Sequence, residues 1–227
     1  MSERVLVMCA TRNRPDRLRR MIASVQKTST KADIAVYIDE DNVVGYDVDT
    51  IPAHVVVGPR IGQVSSLNVL CEKFGDNYEA MGAATDDCEF QTPGWDDWVL
   101  ATTNSFYGRV GAIAPLCEVP DRMDFPWLTS RWVEVAGSFC PVPCEHFYWD
   151  VALEWVGEMT QIAFATKDEF HVSHEGVMPE PENPSDTPSD YQLRIIRSHT
   201  DARGALNWLA LNRRDLALRL NQASMEG

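Results

Sequence analysis

This 227-residue sequence predicts an α/β domain with a mostly parallel sheet flanked by helices. A C-terminal helical extension is expected to follow the domain. Three observations lead to this fold class. Strand-like and helix-like segments alternate from the N-terminus, which is typical of right-handed βαβ units. Polar clusters follow successive strands, where ligand sites form on parallel sheets. The chain is also long enough for one domain with a full hydrophobic core.

The composition limits the class of ligand. With 34 acidic and 20 basic residues the net charge is −14, whereas a protein that binds nucleic-acid phosphates usually presents a basic surface. Five arginines nevertheless lie within residues 12–20. An acidic chain with one local basic stretch favours a small anionic ligand over a long polyanion.

No targeting or membrane-spanning signal is visible in the sequence. Every apolar run is shorter than the ~20 residues of a bilayer span, and the run near the N-terminus is too short for a signal-peptide core. We therefore expect a cytoplasmic protein with scattered, reduced cysteines. A zinc site that starts from Cys140, Cys144 and His146 is a weaker alternative, because the spacing is irregular and no fourth ligand is evident.

The first strand is predicted at residues 5–9, an apolar run with β-branched members. A loop follows, in which Asn13 is the expected N-cap of a helix that has Pro15 in its first turn. One apolar stripe of this helix is formed by Leu18, Met21, Ile22 and Val25. The remaining arginines, Arg17, Arg19 and Arg20, lie mostly off that stripe, so we expect them to form a solvated helix face.

Further strands are predicted at residues 34–38, 55–57 and 78–84, and further helices at 65–74 and from 95 onward. Each of these strands runs into a polar or glycine-containing cluster. Because the carboxyl ends of parallel strands share one edge of a sheet, the clusters should converge there. They are residues 11–14, 39–41, 58–62 and 86–87.

The second half of the chain is less regular. We expect strands at 110–115 and 133–139, a short helix at 148–155 and a strand end near His171 and His174. Residues 179–189, rich in Pro, Glu, Ser and Asp, are predicted to be a flexible loop or lid. A helical extension packed on the domain is predicted for residues 190–227 from composition.

Asp86 and Asp87 are the first candidates for chemistry. Adjacent carboxylates after a buried strand repel one another, so stability alone gives little reason for the pair. A divalent cation that bridges a diphosphate would explain them, because oxygen ligands suit Mg²⁺ or Mn²⁺. The alternative is a turn or helix-cap pair, since Asp is common in loops.

Four segments together resemble the GT-A nucleotide-sugar glycosyltransferases, especially the family 2-like branch, over about the first two-thirds of the chain. They are the first strand with Thr11-Arg12-Asn13-Arg14-Pro15, the acid Asp39, the loop Gly58-Pro59-Arg60-Ile61-Gly62 with Asn68, and Thr85-Asp86-Asp87-Cys88 followed by Pro93-Gly94-Trp95. The last segment departs from a strict Asp-x-Asp pattern, because positions 85 and 88 carry Thr and Cys. Because positions 85 and 88 lack an acid, the departure favours weaker or water-mediated binding of a metal.

The resemblance implies a metal-dependent, inverting transfer of a sugar from a nucleoside-diphosphate donor to an acceptor hydroxyl. Mn²⁺ or Mg²⁺ would be held by Asp87 and completed by His174. Asp150, or Glu145 as second choice, would act as the base, although Asp150 also suits a helix start electrostatically. The implied nucleotide-sugar-binding residues are Thr11, Arg12, Arg14, Asp39, Arg60, Gly62, Asn68 and Asp86.

The same resemblance divides the chain into a catalytic domain at 1–178, with a nucleotide-binding half at 1–100 and an acceptor half at 101–178. Uridine is the commonest base in the family, so a UDP-sugar is the expected donor. The acceptor is open between a glycan, a protein and a modified nucleic-acid base. Small transferases of this kind also occur in phage genomes.

Two rival interpretations remain at this point. A nucleotidyltransferase on a related sheet would usually show a Gly- and Lys-rich phosphate loop, and residues 11–15 contain neither residue. An inactive nucleotide-sugar binding module is the second rival. The retained acids Asp86, Asp87 and Asp150 argue against it.

Overall fold

The computed structural model describes residues 3–117, 124–146, 148–160, 164–174 and 188–226, with the backbone alone for 164–169, 174 and 188–198. The described strands are β1 (Val5–Thr11), β2 (Ala32–Asp39), β3 (His54–Gly58), β4 (Ala80–Thr85), β5 (Cys88–Phe90), β6 (Ala112–Leu116), β7 (Trp127–Thr129) and β8 (Phe164–His174). The described α-helices are α1 (Pro15–Thr28), α2 (Gln63–Phe74), α3 (Trp95–Ser105), α4 (Ser130–Ala136), α5 (Trp149–Glu158) and α6 (Pro188–Met225).

The strands form one sheet in the order β3-β2-β1-β4-β7-β6-β8-β5. The N-terminal half, β3-β2-β1-β4, is parallel throughout. Strand β7 then pairs antiparallel with both β4 and β6, and β5 pairs antiparallel with β8, whereas β6 and β8 are parallel. The predicted α/β class is confirmed, with the antiparallel strands confined to the C-terminal half of the sheet.

Helices cover both faces of the sheet, because its central strands are apolar on both sides. In β1, Leu6 and Met8 face a core built with α2, α5 and α6. Val5, Val7 and Cys9 face the opposite core, which is built with α1 and α3. All five side chains are fully buried, so β1 lies at the centre of the molecule and fixes where its polar C-terminal end emerges.

Two local predictions are wrong. Residues 133–139, expected to be a strand, lie partly in α4: Thr129 ends β7 and its hydroxyl accepts the Trp132 amide proton, which caps a helix at that point. Helix α1 is preceded by Arg14 rather than Asn13 as N-cap. Asn13 instead adopts a left-handed backbone conformation with φ of 59°, which asparagine tolerates better than most residues.

The C-terminal helix α6 packs on the domain through one stripe of buried residues. Ala205, Leu209, Leu216 and Leu220 contribute to the same core as α5. The helix begins at Pro188, so the predicted lid at 179–189 lies, except for its last two residues, outside the described part of the chain. Among the described helices, none is both long and apolar enough to cross a bilayer.

Candidate active site

The polar ends of four parallel strands meet at one edge of the sheet. Thr11, Asp39, Gly58 and Thr85 are the last residues of β1, β2, β3 and β4. The registers place Thr11 beside Ile38 and Asp39 beside Gly58 on neighbouring strands. The convergence predicted from the sequence is therefore present, and the acid pair Asp86–Asp87 follows directly after β4.

Two arginines hold the acid pair. The Arg14 Nη1 atom lies 3.1 Å from Asp86 Oδ1 and 3.4 Å from Asp87 Oδ2, and Arg17 Nη1 lies 3.3 Å from the same Asp87 oxygen. The Asp86 and Asp87 side chains are only 6% and 8% exposed, whereas the arginines are 31% and 37% exposed. Two positive charges at the mouth of the site thus balance two buried negative ones.

A chain of hydroxyl groups supports Asp86 from behind. The Thr11 hydroxyl donates to Asp86 Oδ2 at 2.7 Å, and the Tyr46 hydroxyl lies 2.9 Å from the Thr11 oxygen. The Arg14 backbone N–H donates to that Tyr46 hydroxyl at 2.9 Å. Since the Thr11 proton is directed to the carboxylate, the Tyr46 proton is directed to Thr11, which gives one direction to the whole chain of hydrogen bonds.

The buried position of Asp86 disfavours the charged form of its carboxyl group. Burial raises the pKa of Asp86 above its ordinary value, and the neighbouring charge of Asp87 adds to the rise. The hydrogen bond from Thr11 and the charge of Arg14 act in the opposite direction. Thr11 and Arg14 therefore favour the ionised form of Asp86 and oppose the effect of burial.

A second group of charged residues lies after β2. Arg12 Nη1 contacts Asp39 Oδ2 at 3.0 Å and Asp41 Oδ1 at 2.8 Å. The pKa of Asp41 is lowered by the Asn42 side chain, by Arg12 and by the charge of Arg60. The charge of Arg60 thus acts on Asp41, and Arg12 joins Asp41 to Asp39.

The loop that carries Glu145 and His146 closes on the N-terminus of α2. The Glu145 carbonyl accepts the Val64 amide proton at 3.1 Å. His146 Nδ1 lies 3.3 Å from Gln63 Oε1. Gly62 has φ of +83°, and a Cβ atom there would lie 3.1 Å from the Glu145 carbonyl oxygen, so glycine permits both the backbone turn and the close approach.

Asn68 contacts the backbone of the segment that leads to this loop. Its amide nitrogen donates to the Cys140 carbonyl and its amide oxygen accepts the Cys140 N–H, both at 2.8 Å. This two-way contact fixes the start of the segment that leads to Glu145. The amide nitrogen carries a second proton and the oxygen a second lone pair, so the contact of Asn68 with a nucleotide sugar stays a prediction beside this backbone contact.

Helix α6 holds the loop from the other side. Asp201 is 3% exposed, and its two carboxylate oxygens accept the backbone protons of Glu145 at 2.8 Å and His146 at 2.9 Å. A Cβ atom on Gly204, one turn further on, would lie 2.9 Å from the Pro143 carbonyl oxygen. The helix therefore approaches the loop closely and provides a buried acceptor for two of its amides.

The two remaining predicted residues lie on separate elements. Asp150 occupies the first turn of α5, and its charge contributes to the raised pKa of the Cys140 and Cys144 thiols, behind burial as the main cause. His174 ends β8 and is paired in the sheet with Cys88, the residue after Asp87. The backbone thus brings His174 next to the acid pair.

The cysteines are not arranged for zinc. All six thiols are buried and unpaired by disulfides. Burial raises the pKa of Cys140, and it raises the pKa of Cys88 and Cys144 to about 12. Among the residues that the structure describes, no group of three His, Cys, Asp or Glu side chains is suitably placed for a metal ion.

The acid pair fits a divalent cation in part. Asp86 and Asp87 supply the carboxylate oxygens that Mg²⁺ and Mn²⁺ prefer, and the His174 backbone is adjacent. The thiol of Cys88 contacts Thr85 rather than the acids. Two protein carboxylates are typical of metal sites that take their other ligands from a bound phosphate.

Three residues that sequence reasoning missed contribute to this arrangement. Arg17 was expected to be a solvated helix residue, yet its guanidinium contacts Asp87. Tyr46 and Asp201 come from segments without a recognised motif and support the site through hydrogen bonds. For Arg17 a signal was present, because it lies only three residues after Arg14 and one helical turn brings such residues to the same side.

Comparisons with known proteins locate the fold among solved structures. No protein-family model and no curated protein sequence matches the chain. Its structure is similar to the mannosyltransferase PcManGT from Pyrobaculum calidifontis, solved in complex with GDP-Man and Mn²⁺, with a TM-score of 0.60 and 13% identity. That match covers 97% of this chain and 73% of the other.

Two further similar structures are S. aureus TarS 1-349 and Rv0371c from Mycobacterium tuberculosis H37Rv in complex with manganese. TarS gives a TM-score of 0.57 at 10% identity over 93% of this chain and 73% of the other. Rv0371c gives 0.50 at 14% identity over 87% and 100%. With identities this low the likeness establishes the architecture, and the chain has the GT-A fold.

Proposed function

We propose that this protein transfers a sugar from a nucleoside-diphosphate donor to an acceptor hydroxyl. The observation that carries the proposal is the buried acid pair Asp86–Asp87, matched by two arginines, at the carboxyl edge of the parallel strands in a GT-A fold. Ligands of open α/β sheets bind at this edge. A buried cluster of balanced charges there is suited to an ionic ligand such as a diphosphate.

The donor would lie across the two groups of charged residues. Arg14 and Arg17 are placed to bind the diphosphate, since guanidinium groups match phosphate oxygens bidentately. Arg12, Asp39 and Arg60 would face the nucleoside. Thr11, which is 5% exposed, orients Asp86 by its hydrogen bond instead of contacting the donor directly.

Asp87, with Asp86 beside it and His174 from the paired strand, would hold a divalent cation such as Mn²⁺ or Mg²⁺. Bound there, the cation would offset the negative charge that develops on the leaving diphosphate. The complexes of PcManGT and Rv0371c with manganese support this choice of metal. The other charged groups of the proposed site are side chains of this protein.

A carboxylate would take the acceptor's proton. In an inverting reaction the acceptor oxygen bonds to the anomeric carbon as the bond from that carbon to the diphosphate oxygen breaks, and the hydroxyl proton moves to the base. We assign the base to Asp150, in the first turn of α5, with Glu145 as the second candidate because its loop adjoins Gly62 at the donor side. The variants Asp150→Asn and Glu145→Gln distinguish the two candidates, because only replacement of the base should strongly lower the rate of sugar transfer.

Calorimetry with UDP, GDP, CDP and TDP, each with and without Mn²⁺, tests the donor site. We expect one nucleoside diphosphate to bind only in the presence of Mn²⁺, and Asp87→Asn to weaken that binding by about tenfold or more, as loss of a metal ligand does. The four bases are compared because the family favours uridine whereas PcManGT was solved with GDP-Man.

The matched control is Asp97→Asn. Asp97 is 61% exposed and pairs with Lys31 on the surface, so its replacement removes the same charge without touching the site. Absence of binding by all four nucleotides to the folded protein would contradict the proposal. Equal losses in Asp87→Asn and Asp97→Asn would contradict the assignment of Asp87.

A further inference from the structure

The acid pair of the proposed donor site is already neutralised by this chain's own arginines. Arg14 contacts both carboxylates and Arg17 contacts Asp87, at 3.1–3.4 Å. A cation that takes Asp86 Oδ1 and Asp87 Oδ2 replaces the guanidinium groups at these two oxygens. A diphosphate that takes the Nη1 atoms of Arg14 and Arg17 likewise replaces the carboxylates there. Each ligand alone therefore breaks ion pairs in a site that is mostly shielded from water.

The charges decide how costly each event is. A divalent cation alone would add two positive charges beside the two guanidinium groups. The two carboxylates would then face four positive charges. A diphosphate alone would place its negative charge next to two carboxylates that are less than a tenth exposed. Unbalanced charge in a poorly solvated site is strongly unfavourable. When both ligands enter together, the charges balance again.

We propose that Arg14 and Arg17 exchange partners when the donor binds, leaving the carboxylates to the cation and moving to the diphosphate. This inference rests on the proposed function and adds a specific role for Arg17. The exchange makes the binding of metal and of nucleotide mutually dependent. By linkage, the factor by which one ligand strengthens the other is the same in both directions.

The structure provides the freedom that the exchange needs. Both guanidinium-bearing side chains are about one-third exposed. Their guanidinium groups can therefore reorient without disturbing the packing of the core. The backbone of Arg14 is held separately, through its N–H bond to Tyr46. Arg17 is in the first turn of α1. The side chains can therefore turn from carboxylate to phosphate while the elements that carry them stay in place.

Electron paramagnetic resonance of Mn²⁺ measures the exchange directly and needs no turnover. The Mn²⁺ affinity is determined for the wild type, Arg17→Gln and Arg19→Gln, each without nucleotide and with saturating UDP or GDP, after correction for Mn²⁺ bound by nucleotide in buffer. Arg19 is the matched control, since it lies on the same helix, is 56% exposed and pairs with Asp16.

We expect the wild type to bind Mn²⁺ weakly alone and about tenfold or more tightly with one nucleotide, a typical size for a coupling between two sites. Arg17→Gln should tighten Mn²⁺ alone by several-fold, because Asp87 loses a competing cation, and should reduce the enhancement by nucleotide. Arg19→Gln should resemble the wild type in both respects.

Unchanged Mn²⁺ affinity of Arg17→Gln without nucleotide would overturn the exchange, whatever the nucleotide does. An equal effect of Arg19→Gln would also overturn it, because it would indicate a general charge effect. The failure of the proposed function gives a different result: no nucleotide would alter Mn²⁺ binding to any of the three proteins, including the wild type.

Discussion

Individual side chains decide whether the acid pair can remain charged inside the protein. Asp86 accepts a hydrogen bond from the Thr11 hydroxyl, and Thr11 in turn is oriented by the hydroxyl of Tyr46. A hydrogen bond to a charged group contributes more than one between neutral groups. The residues behind the site therefore matter to its chemistry as much as those that would touch a ligand.

Replacement of Thr11 by valine tests this support. The shape of the side chain is kept, but the buried Asp86 loses a donor, so we expect the free energy of unfolding to fall by about 1–3 kcal/mol. Urea denaturation measures the change. Thr11→Ser keeps the hydroxyl and should lose clearly less. A valine variant as stable as the serine variant would show that the hydrogen bond contributes nothing.

At the scale of elements, helix α6 acts on the site through one loop. Asp201 accepts the amide protons of Glu145 and His146, and the carbonyl of Glu145 accepts from Val64 at the start of α2. The loop is thus held between the C-terminal helix and the donor-side helix. A loop positioned from both sides can present a carboxylate with little freedom of movement.

Asp201→Ala should release this loop. Hydrogen exchange followed by mass spectrometry is expected to show faster exchange of the amides at 145 and 146, because both lose a buried acceptor. Asp215→Ala is the control, since Asp215 lies on the same helix and its exposed carboxylate pairs with Arg219. Equal protection of the loop in both variants would contradict the positioning role of Asp201.

Elements with a strong local pattern were predictable from the sequence. Strand β1 and helix α1 follow from a run of buried apolar residues and from one apolar stripe. The failure at 133–139 has a local cause as well, because valine-rich composition favoured a strand while Thr129 and Gly137 set the ends of a helix. Composition alone does not register a cap made by one hydroxyl.

The whole molecule divides its tasks between two halves of one sheet. The parallel half, from β3 to β4, brings together the acids and arginines of the proposed donor site. The half that contains antiparallel strands carries His174 and leads to α5 and the loop of Glu145. Strand β4 belongs to both halves, since it pairs with β1 and β7.

The convergence of the polar strand ends was predictable because these residues directly follow strands, and parallel strands end together. The order of strands β7, β6, β8 and β5 was not, because it depends on contacts between distant segments of the chain. The role of His174 as a metal ligand stays a prediction from a resemblance, and the structure shows only that its backbone pairs with that of Cys88. Arg17 was missed because an amphipathic pattern describes one helix and not what packs over it.

Release of nucleoside diphosphate from a nucleotide sugar is the most direct test of the proposed use of such a donor. The protein is incubated with UDP-glucose, UDP-N-acetylglucosamine or GDP-mannose and Mn²⁺, with water as the acceptor, and the UDP or GDP formed is measured. We expect slow release from one donor, reduced about tenfold or more by Asp87→Asn and unchanged by Asp97→Asn. Release that is unaffected by Asp87→Asn, or no release from any donor above the protein-free rate, would contradict it.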